Sequence, residues 1–234
     1  MGFVTLGIFV NLYADDLGNL AGMDGAMMVM LAHGFNTGAL FLLVGVVYER
    51  AHTRLISAFS GLSTRMPIYS AYFALFMLAS IGLPGLSGFV GEFLVALATW
   101  RYNPWAAVFT FTVVILAAWY MMWLFQRIAW GRAPGELPDP HDGELTDEER
   151  AELQQASPAG HHQTGHGPAA PRPVTGGSHA HAADAHAEVW PDLTTKETLT
   201  LLPLAILTIV TGVYPGPIFD IAEPAFERIL LPFV

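Results

Sequence analysis

The stretch IGLPGLSGFVGEFL, residues 81–94, lies in the middle of an apolar run at residues 67–100. A single helix of that length would measure about 50 Å, whereas the hydrocarbon core of a bilayer is about 30 Å thick. Proline and glycine weaken helices, so we expect this helix to break at residues 84–88. The run therefore predicts a membrane helix that is interrupted at membrane depth, with Glu92 shortly after the interruption.

The composition of the chain is that of a membrane protein. Apolar residues make up 53% of its 234 residues and charged residues only 13%, whereas soluble domains carry about 25% charged residues. The formal net charge of −10 arises mostly in residues 133–192, which hold eleven acids and two bases. No basic face for nucleic acid remains. The chain has no cysteine, which excludes disulfides and cysteine-ligated iron–sulfur clusters within it.

The remaining apolar segments predict an all-α, polytopic transmembrane helix bundle in residues 1–132, followed by a last membrane helix. We expect spans at about 23–48, 67–100 (broken at 84–88), 104–130 and 196–216. Residues 1–13 are too short to span a bilayer, and we interpret them as the tail of a longer helix, with a short N-terminal helix as the alternative. Residues 217–234 predict an amphipathic helix at the membrane interface or on a partner.

Between the last two spans, residues 133–195 form an acidic, His-rich segment whose composition predicts a disordered loop. Arginines cluster at the helix ends on the same side as this loop, so the positive-inside rule places the loop in the cytoplasm and the C-terminus outside. The histidine spacings suit Zn, Ni or Cu ions, and the weak candidate ligands are His161, His162, His179 and His181. A solvated linker is the interpretation we favour, because metal coordination requires a fixed geometry.

Two titratable side chains lie inside predicted spans. Glu92 is about 12 Å from the charged end of its span by helical rise, and intramembrane carboxylates usually mark ion or proton paths. A carboxylate that caps the restarting helix is the alternative. His33 suits proton shuttling near neutral pH, and Asn36 and Thr37 are spaced to orient it. Its alternative role is that of a core histidine satisfied by a neighbouring helix.

Two further features of the second span have mainly structural interpretations. Gly34 and Gly38 form a G-x-x-x-G pattern, which predicts close helix packing. Arg50 and Arg54 share a face at the helix end YERAHTR, where ordinary positive-inside residues are the simpler interpretation and pairing of Arg54 with an internal carboxylate is the alternative. No phosphate-binding loop, dinucleotide fingerprint or serine nucleophile elbow is present.

Two longer segments, AHGFNTGALFLLVGVVYERAHTR at 32–54 and LASIGLPGLSGFVGEF at 78–93, resemble the C-terminal part of a known family. It is the subunit M, or ND-four-type, family of proton-pumping NADH:quinone oxidoreductase (respiratory complex I). The resemblance covers residues 1 to about 130 and resumes at about 199. It implies an antiporter-like fold of inverted repeats with broken helices, of which this chain would hold the back part. The family motif continues upstream as His-Met-Gly-Phe, so we expect a longer subunit.

The resemblance also implies a proton path. His33 matches a histidine on the central polar axis, and Arg54 matches an arginine at the cytoplasmic end of the same helix. Glu92 matches the carboxylate that terminates the proton path of the subunit. Sister antiporter-like subunits and the related multisubunit sodium/proton antiporters usually have lysine at this position, so the sequence VGEF favours subunit M.

On this resemblance the chain would contribute to proton translocation coupled to electron transfer from NADH to quinone, in the bacterial inner membrane. NAD, FMN, iron–sulfur clusters and quinone would bind in partner subunits, with no cofactor or redox centre in this chain. The expected partners are other membrane-arm subunits on both sides and lipid, without nucleic acid. Two alternatives remain: a subunit of a multisubunit cation/proton antiporter, and a non-catalytic assembly or metal-binding membrane protein.

Overall fold

A computed structural model describes residues 1–13, 20–52, 56–130 and 190–230, and all regular structure in these ranges is helical. The predicted all-α, polytopic bundle with a broken helix is confirmed. The helices are α1 (Gly2–Tyr13), α2 (Ala21–Ala51), α3 (Leu62–Arg65), α4 (Pro67–Ser80), α5 (Ser87–Tyr102), α6 (Pro104–Ala129), α7 (Thr195–Val213) and α8 (Gly216–Leu230), with a 3-10 turn at Ile56–Phe59.

Among the described residues, three helices are long and apolar enough to cross a membrane, namely α2, α6 and α7. Two shorter helices, α1 and α4, are also apolar. The helices α4 and α5 follow each other in the apolar run at 67–100 and correspond to the two halves of the predicted broken span.

The interruption between α4 and α5 covers residues 81–86, so it begins earlier than the predicted break at 84–88. Gly82 and Gly85 adopt φ angles of +76° and +92°, in the left-handed region that favours glycine. Leu86 is then extended (φ −115°, ψ 159°) before α5 begins. The first glycine of the stretch thus already ends the helix, before the proline is reached.

Helix α2 is the centre of the bundle and packs against α1, α4, α5 and α7. It begins at Ala21 rather than near residue 23, and Asp24 is buried in its first turn. The larger hydrophobic core lies toward the arginine-bearing end of α2, where side chains of α2, α3, α4, α6 and α7 meet. Its fully buried members include Leu43, Leu62, Met66, Phe76 and Leu201.

The closest approach of α2 to α5 is at Gly25 and Gly91. A Cβ atom at Gly91 would lie 2.6 Å from the backbone nitrogen of Val29 and 2.9 Å from the carbonyl oxygen of Gly25. In contrast, nothing in the described residues lies within 4 Å of a Cβ at Gly34 or Gly38. The prediction of close packing at Gly34 and Gly38 is therefore wrong for the described helices, because both glycines are on an exposed face of α2.

At the arginine-bearing end of the bundle, Arg50 joins α2 to α7. Its guanidinium donates to both carboxylate oxygens of Glu197, at 3.1 and 3.0 Å. It also donates to the backbone carbonyls of Val46, Pro191 and Asp192. Arg50 thus has a specific structural role at this end of the bundle.

The segment before α7 is also attached to the start of α4. The Asp192 carboxylate accepts hydrogen bonds from the backbone N–H groups of Ile68 and Tyr69, at 2.8 and 3.1 Å. These N–H groups belong to the first turn of α4 and have no partner within their own helix. Thr194 and Glu197 form a capping box that starts α7. One short segment therefore ties α2, α4 and α7 together.

Both described flanks of residues 131–189 contact the short stretch at 56–65. Ser63 Oγ donates to the carbonyl oxygen of Ala129, near the end of α6. Trp190 packs edge-on against Phe59 and carries Arg65 over its ring, 5.6 Å from the centroid. The two flanks are thus held at the same short stretch of the bundle. Residues 131–189 themselves, including all the loop histidines, lie outside the described residues.

We expect that Arg50→Ala will destabilise the bundle. The Arg50 and Glu197 side chains are 11% and 23% exposed, and loss of one partner leaves the other charge partly buried, which costs about 2 kcal/mol for a site between fully buried and surface pairs. Thermal unfolding of the purified chain in detergent measures the change. Arg101→Ala, at an exposed position on α5, is the matched control, and equal melting temperatures for the two variants would contradict this assignment.

Helix α8 begins directly after α7 and places Asp220, Glu223 and Glu227 on its surface. Two of its apolar side chains, Ile221 and Ile229, are also exposed. Such a helix has apolar surface available for a membrane interface or another chain. The location of residues 217–234 at either one remains a prediction. Residues 231–234 lie outside the described ranges.

Candidate functional site

A cavity of about 280 Å³ lies where α2 passes the helix break. Its walls come from α2, α4, α5 and α6. The apolar lining includes Val29, Leu40 and Met121, and the polar lining consists of His33, Asn36, Thr37, Ser80, Glu92 and Tyr120. A polar cavity of this size is large enough for several water molecules.

Glu92 enters this cavity from α5, five residues after the helix restarts. Its carboxylate lies against the break, since a Cβ atom at Gly82 would be 2.5 Å from Glu92 Oε2. The positive φ of Gly82 favours glycine at this position. The N-terminus of α5 has no side-chain cap bond and no acidic residue in its first turn. Glu92 therefore does not cap the restarting helix.

His33 reaches the same cavity from α2. Its Nδ1 atom lies 3.2 Å from Thr37 Oγ1, the i, i+4 neighbour that the sequence indicates as an orienting group. The side chain is exposed in the described residues rather than enclosed in a helix contact. The structure thus brings together His33 and Glu92, two candidates separated by 59 positions in the chain, in the lining of one cavity.

The other candidate site residues cannot be placed relative to the cavity. Arg54 lies outside the described residues, as do His161, His162, His179 and His181. In the described parts of the chain, no group of three or more His, Cys, Asp or Glu side chains could hold a metal ion. The metal-binding interpretation of the loop therefore stays a hypothesis.

A buried polar network that sequence reasoning missed borders the cavity. Thr208 Oγ1 donates to Asn36 Oδ1 at 3.0 Å, and Asn36 Nδ2 donates to Ser87 Oγ at 3.4 Å. The sequence indicates Asn36 only as a neighbour of His33. Nothing in the sequence distinguishes Thr208 from other threonines of the apolar helices, such as Thr99 and Thr211, whose hydroxyls bond carbonyls of their own helix.

The arrangement is suited to proton transfer. A carboxyl group and an imidazole both gain and lose protons readily, and water in the cavity between them would carry protons over distances that the side chains do not bridge directly. Ionisable side chains at membrane depth are costly and are usually retained for ion or proton paths. The described site thus brings together two ionisable groups suited to moving protons.

The sequence matches one family along half of its length. A family profile described as "NADH:quinone oxidoreductase/Mrp antiporter, TM" covers residues 1–117, which include α1 to α5, the break and Glu92.

Among curated relatives, NADH-quinone oxidoreductase subunit M of Rhodobacter capsulatus is 36% identical over 230 residues, covering 98% of this chain and 34% of that protein. The subunit M of Rickettsia bellii (strain RML369-C) is 30% identical over 233 residues, covering 100% of this chain and 36% of the relative. NADH-ubiquinone oxidoreductase chain 4 of Chondrus crispus is 42% identical over 131 residues, which are 56% of this chain and 25% of that protein. This chain thus spans about a third of the length of the subunit M relatives.

Two solved structures have the same fold. A chain of respiratory complex I from Thermus thermophilus superimposes with a TM-score of 0.65 at 27% identity, covering 98% of this chain and 37% of that chain. A chain of the Mrp complex from Dietzia sp. DQ12-45-1b gives a TM-score of 0.65 at 22% identity, covering 97% of this chain and 40% of that chain. The helical fold, the broken helix and the profile match agree: the chain is a multi-pass membrane protein that belongs to the NADH:quinone oxidoreductase/Mrp antiporter transmembrane family.

Proposed function

We propose that this chain is the C-terminal part of a subunit M in proton-translocating NADH:quinone oxidoreductase. The observation that carries the proposal is that His33 and Glu92 line one polar cavity at a helix break. The glutamate at position 92 further supports subunit M, because the sister subunits that it resembles usually have lysine there. The relatives named subunit M align with nearly all of this chain.

In the proposed mechanism, His33 passes protons along the polar axis and Glu92 is the terminal donor or acceptor of the path. Thr37 holds the His33 ring by its hydroxyl. Gly82 leaves room for the Glu92 carboxylate beside the break. Arg54 would adjust the charge of a nearby carboxylate at the end of α2. Electron transfer from NADH to quinone takes place in partner subunits, which also bind NAD, FMN, iron–sulfur clusters and quinone. This electron transfer is coupled electrostatically to the proton path.

The proposed setting is the bacterial inner membrane, with other membrane-arm subunits on both sides and lipid around the exposed apolar faces. The exposed surface of helix α6 supports the proposed lipid contact, because its aromatic side chains Trp105, Phe109 and Trp119 are more than 70% exposed. The arginine-bearing helix ends and residues 133–195 would be cytoplasmic, and the C-terminus would be periplasmic.

A cation/proton antiporter subunit is the second candidate. It is supported by the family itself, which includes Mrp antiporters, and by the fold shared with the Dietzia chain. The glutamate at position 92 argues against it. The third candidate, an assembly or metal-binding protein built around the His-rich loop, has no support from the described residues.

Disruption of the gene in its native host separates these candidates. We expect inverted membrane vesicles to lose NADH:quinone oxidoreductase activity and NADH-driven proton uptake, while proton efflux triggered by Na⁺ remains. A plasmid copy of the gene should restore both activities. Loss of Na⁺-triggered proton efflux with intact NADH oxidation would identify an antiporter subunit instead. If neither activity changes, a non-catalytic role becomes the leading interpretation.

A further inference from the structure

We infer that Asn36 is a positioning residue, whose hydrogen bonds to Thr208 and Ser87 fix the start of α5 and thereby the place of Glu92 in the cavity that it shares with His33. This inference rests on the proposed function for its consequence in proton transfer. Its structural content, that α2 and α7 hold the restarting helix by one buried amide, stands on the described contacts alone.

The network joins three helices at the break. Asn36 of α2 accepts from Thr208 of α7 and donates to Ser87, the first residue of α5. Asn36 is 3% exposed, and Ser87 and Thr208 are fully buried. Buried polar groups without partners are costly, so each member of this chain of hydrogen bonds restrains the position of the next.

The same helix, α7, contacts the break at a second point. One turn after Thr208, Gly212 packs against the backbone of Leu86, and a Cβ at Gly212 would also lie 2.6 Å from the carbonyl oxygen of Gly85. Both residues immediately before α5 therefore touch α7 directly. Since Glu92 follows Ser87 by less than two helical turns, displacement of the first turn would move the carboxylate within the cavity.

Asparagine suits this position because its amide donates and accepts hydrogen bonds without titrating near neutral pH. It can hold the geometry of the cavity without adding a further proton site. The titratable side chains that line the cavity in the described residues are His33, Glu92 and Tyr120. Asn36 would therefore act on proton transfer only through the placement of Glu92.

The test uses two valine substitutions in the same helix. Thr208→Val removes the hydroxyl that binds Asn36 but keeps the side-chain shape. Thr211→Val is the matched control, because Thr211 is also buried and its hydroxyl binds only the Leu207 carbonyl of its own helix. Both are made in the chromosomal gene, and the native complex is studied in its membranes.

The readout is modification of Glu92 by a hydrophobic carbodiimide, which reacts with protonated carboxyl groups, measured by mass spectrometry across a pH series. Loss of one hydrogen bond changes an equilibrium by about fivefold. We therefore expect Thr208→Val to shift the midpoint of the Glu92 labelling profile by a corresponding amount relative to Thr211→Val, with Thr208→Ser restoring the wild-type midpoint. A role in stability alone would lower the amount of protein but leave the midpoint unchanged, and that result would overturn the inference.

If Thr208→Val does not accumulate in the membrane, Ser87→Ala tests the same network from its other end, and an unchanged labelling midpoint in that variant would equally overturn it. Failure of this inference is distinguishable from failure of the proposed function. Intact NADH:quinone oxidoreductase activity and NADH-driven proton uptake after disruption of the gene refute the function, whereas an unshifted labelling profile refutes only the positioning role of Asn36.

Discussion

Replacement of Glu92 by Gln is expected to abolish most NADH-driven proton translocation while the protein still assembles in the membrane. Glutamine has nearly the same shape and retains a polar group toward the cavity, but it cannot take up or release a proton. The loss therefore reports on titration rather than on packing. General acid–base groups contribute rate factors of about 10²–10⁴, so a residual rate of about 1% or less is the expected scale.

Quenching of a pH-sensitive dye in inverted vesicles measures this translocation, with the amount of assembled complex determined by immunoblot. Glu49→Gln is the matched control, because it makes the same chemical change at an exposed position on α2 outside the cavity. Proton translocation by Glu92→Gln at the rate of the Glu49→Gln control would eliminate Glu92 as the terminal group of the path.

Gly91→Ala is expected to have the largest effect on stability. The added methyl group would meet the Val29 backbone nitrogen at 2.6 Å and the Gly25 carbonyl oxygen at 2.9 Å, and neither backbone atom can rotate away. Helices α2 and α5 would have to separate, and overpacking of this kind costs about 1–3 kcal/mol or more. Because Gly91 is adjacent to Glu92 in α5, the cavity should also widen.

Gly34→Ala makes the same substitution in α2 at a position with no described atom within 4 Å. Alanine is favoured over glycine in helices by about 1 kcal/mol, so the melting temperature of Gly34→Ala should be equal to or higher than that of the wild type. Thermal unfolding of the purified chain in detergent compares the two variants. A melting temperature of Gly91→Ala that is equal to or higher than that of Gly34→Ala would mean that α2 and α5 do not meet at Gly25 and Gly91 as described.

The contrast between these glycines shows that a sequence pattern does not reveal which helix face packs against another helix. Gly34 and Gly38 have the spacing of a packing motif, yet both are exposed in the described bundle, whereas Gly25 and Gly91 make the contact without any motif of their own. Spacing shows that two residues share a helix face. It does not show which face another helix covers, because that depends on how all the apolar surfaces are buried together.

The break in the helix could be predicted from the sequence, unlike the contact between α2 and α5, because the causes of the break are local. The length of the apolar run exceeds a membrane thickness, and its glycines accept backbone angles that other residues avoid. His33 and Glu92 could also be recognised from the sequence, since ionisable residues in apolar spans are costly and uncommon. The exact start of the break at residue 81 could not, because spacing alone does not show which glycine of the stretch is the first to adopt a positive φ angle.

By itself, then, the sequence determined the class of the protein, its apolar helices, the presence of an interruption and the two ionisable groups in the membrane, since each follows from composition and spacing over short distances. Only the tertiary structure decided which groups meet. Arg50 binds Glu197 across 147 positions, and Asn36 binds Thr208 across 172. Such contacts are not encoded by any local pattern, because they exist only once helix packing has brought distant parts of the chain within hydrogen-bonding distance.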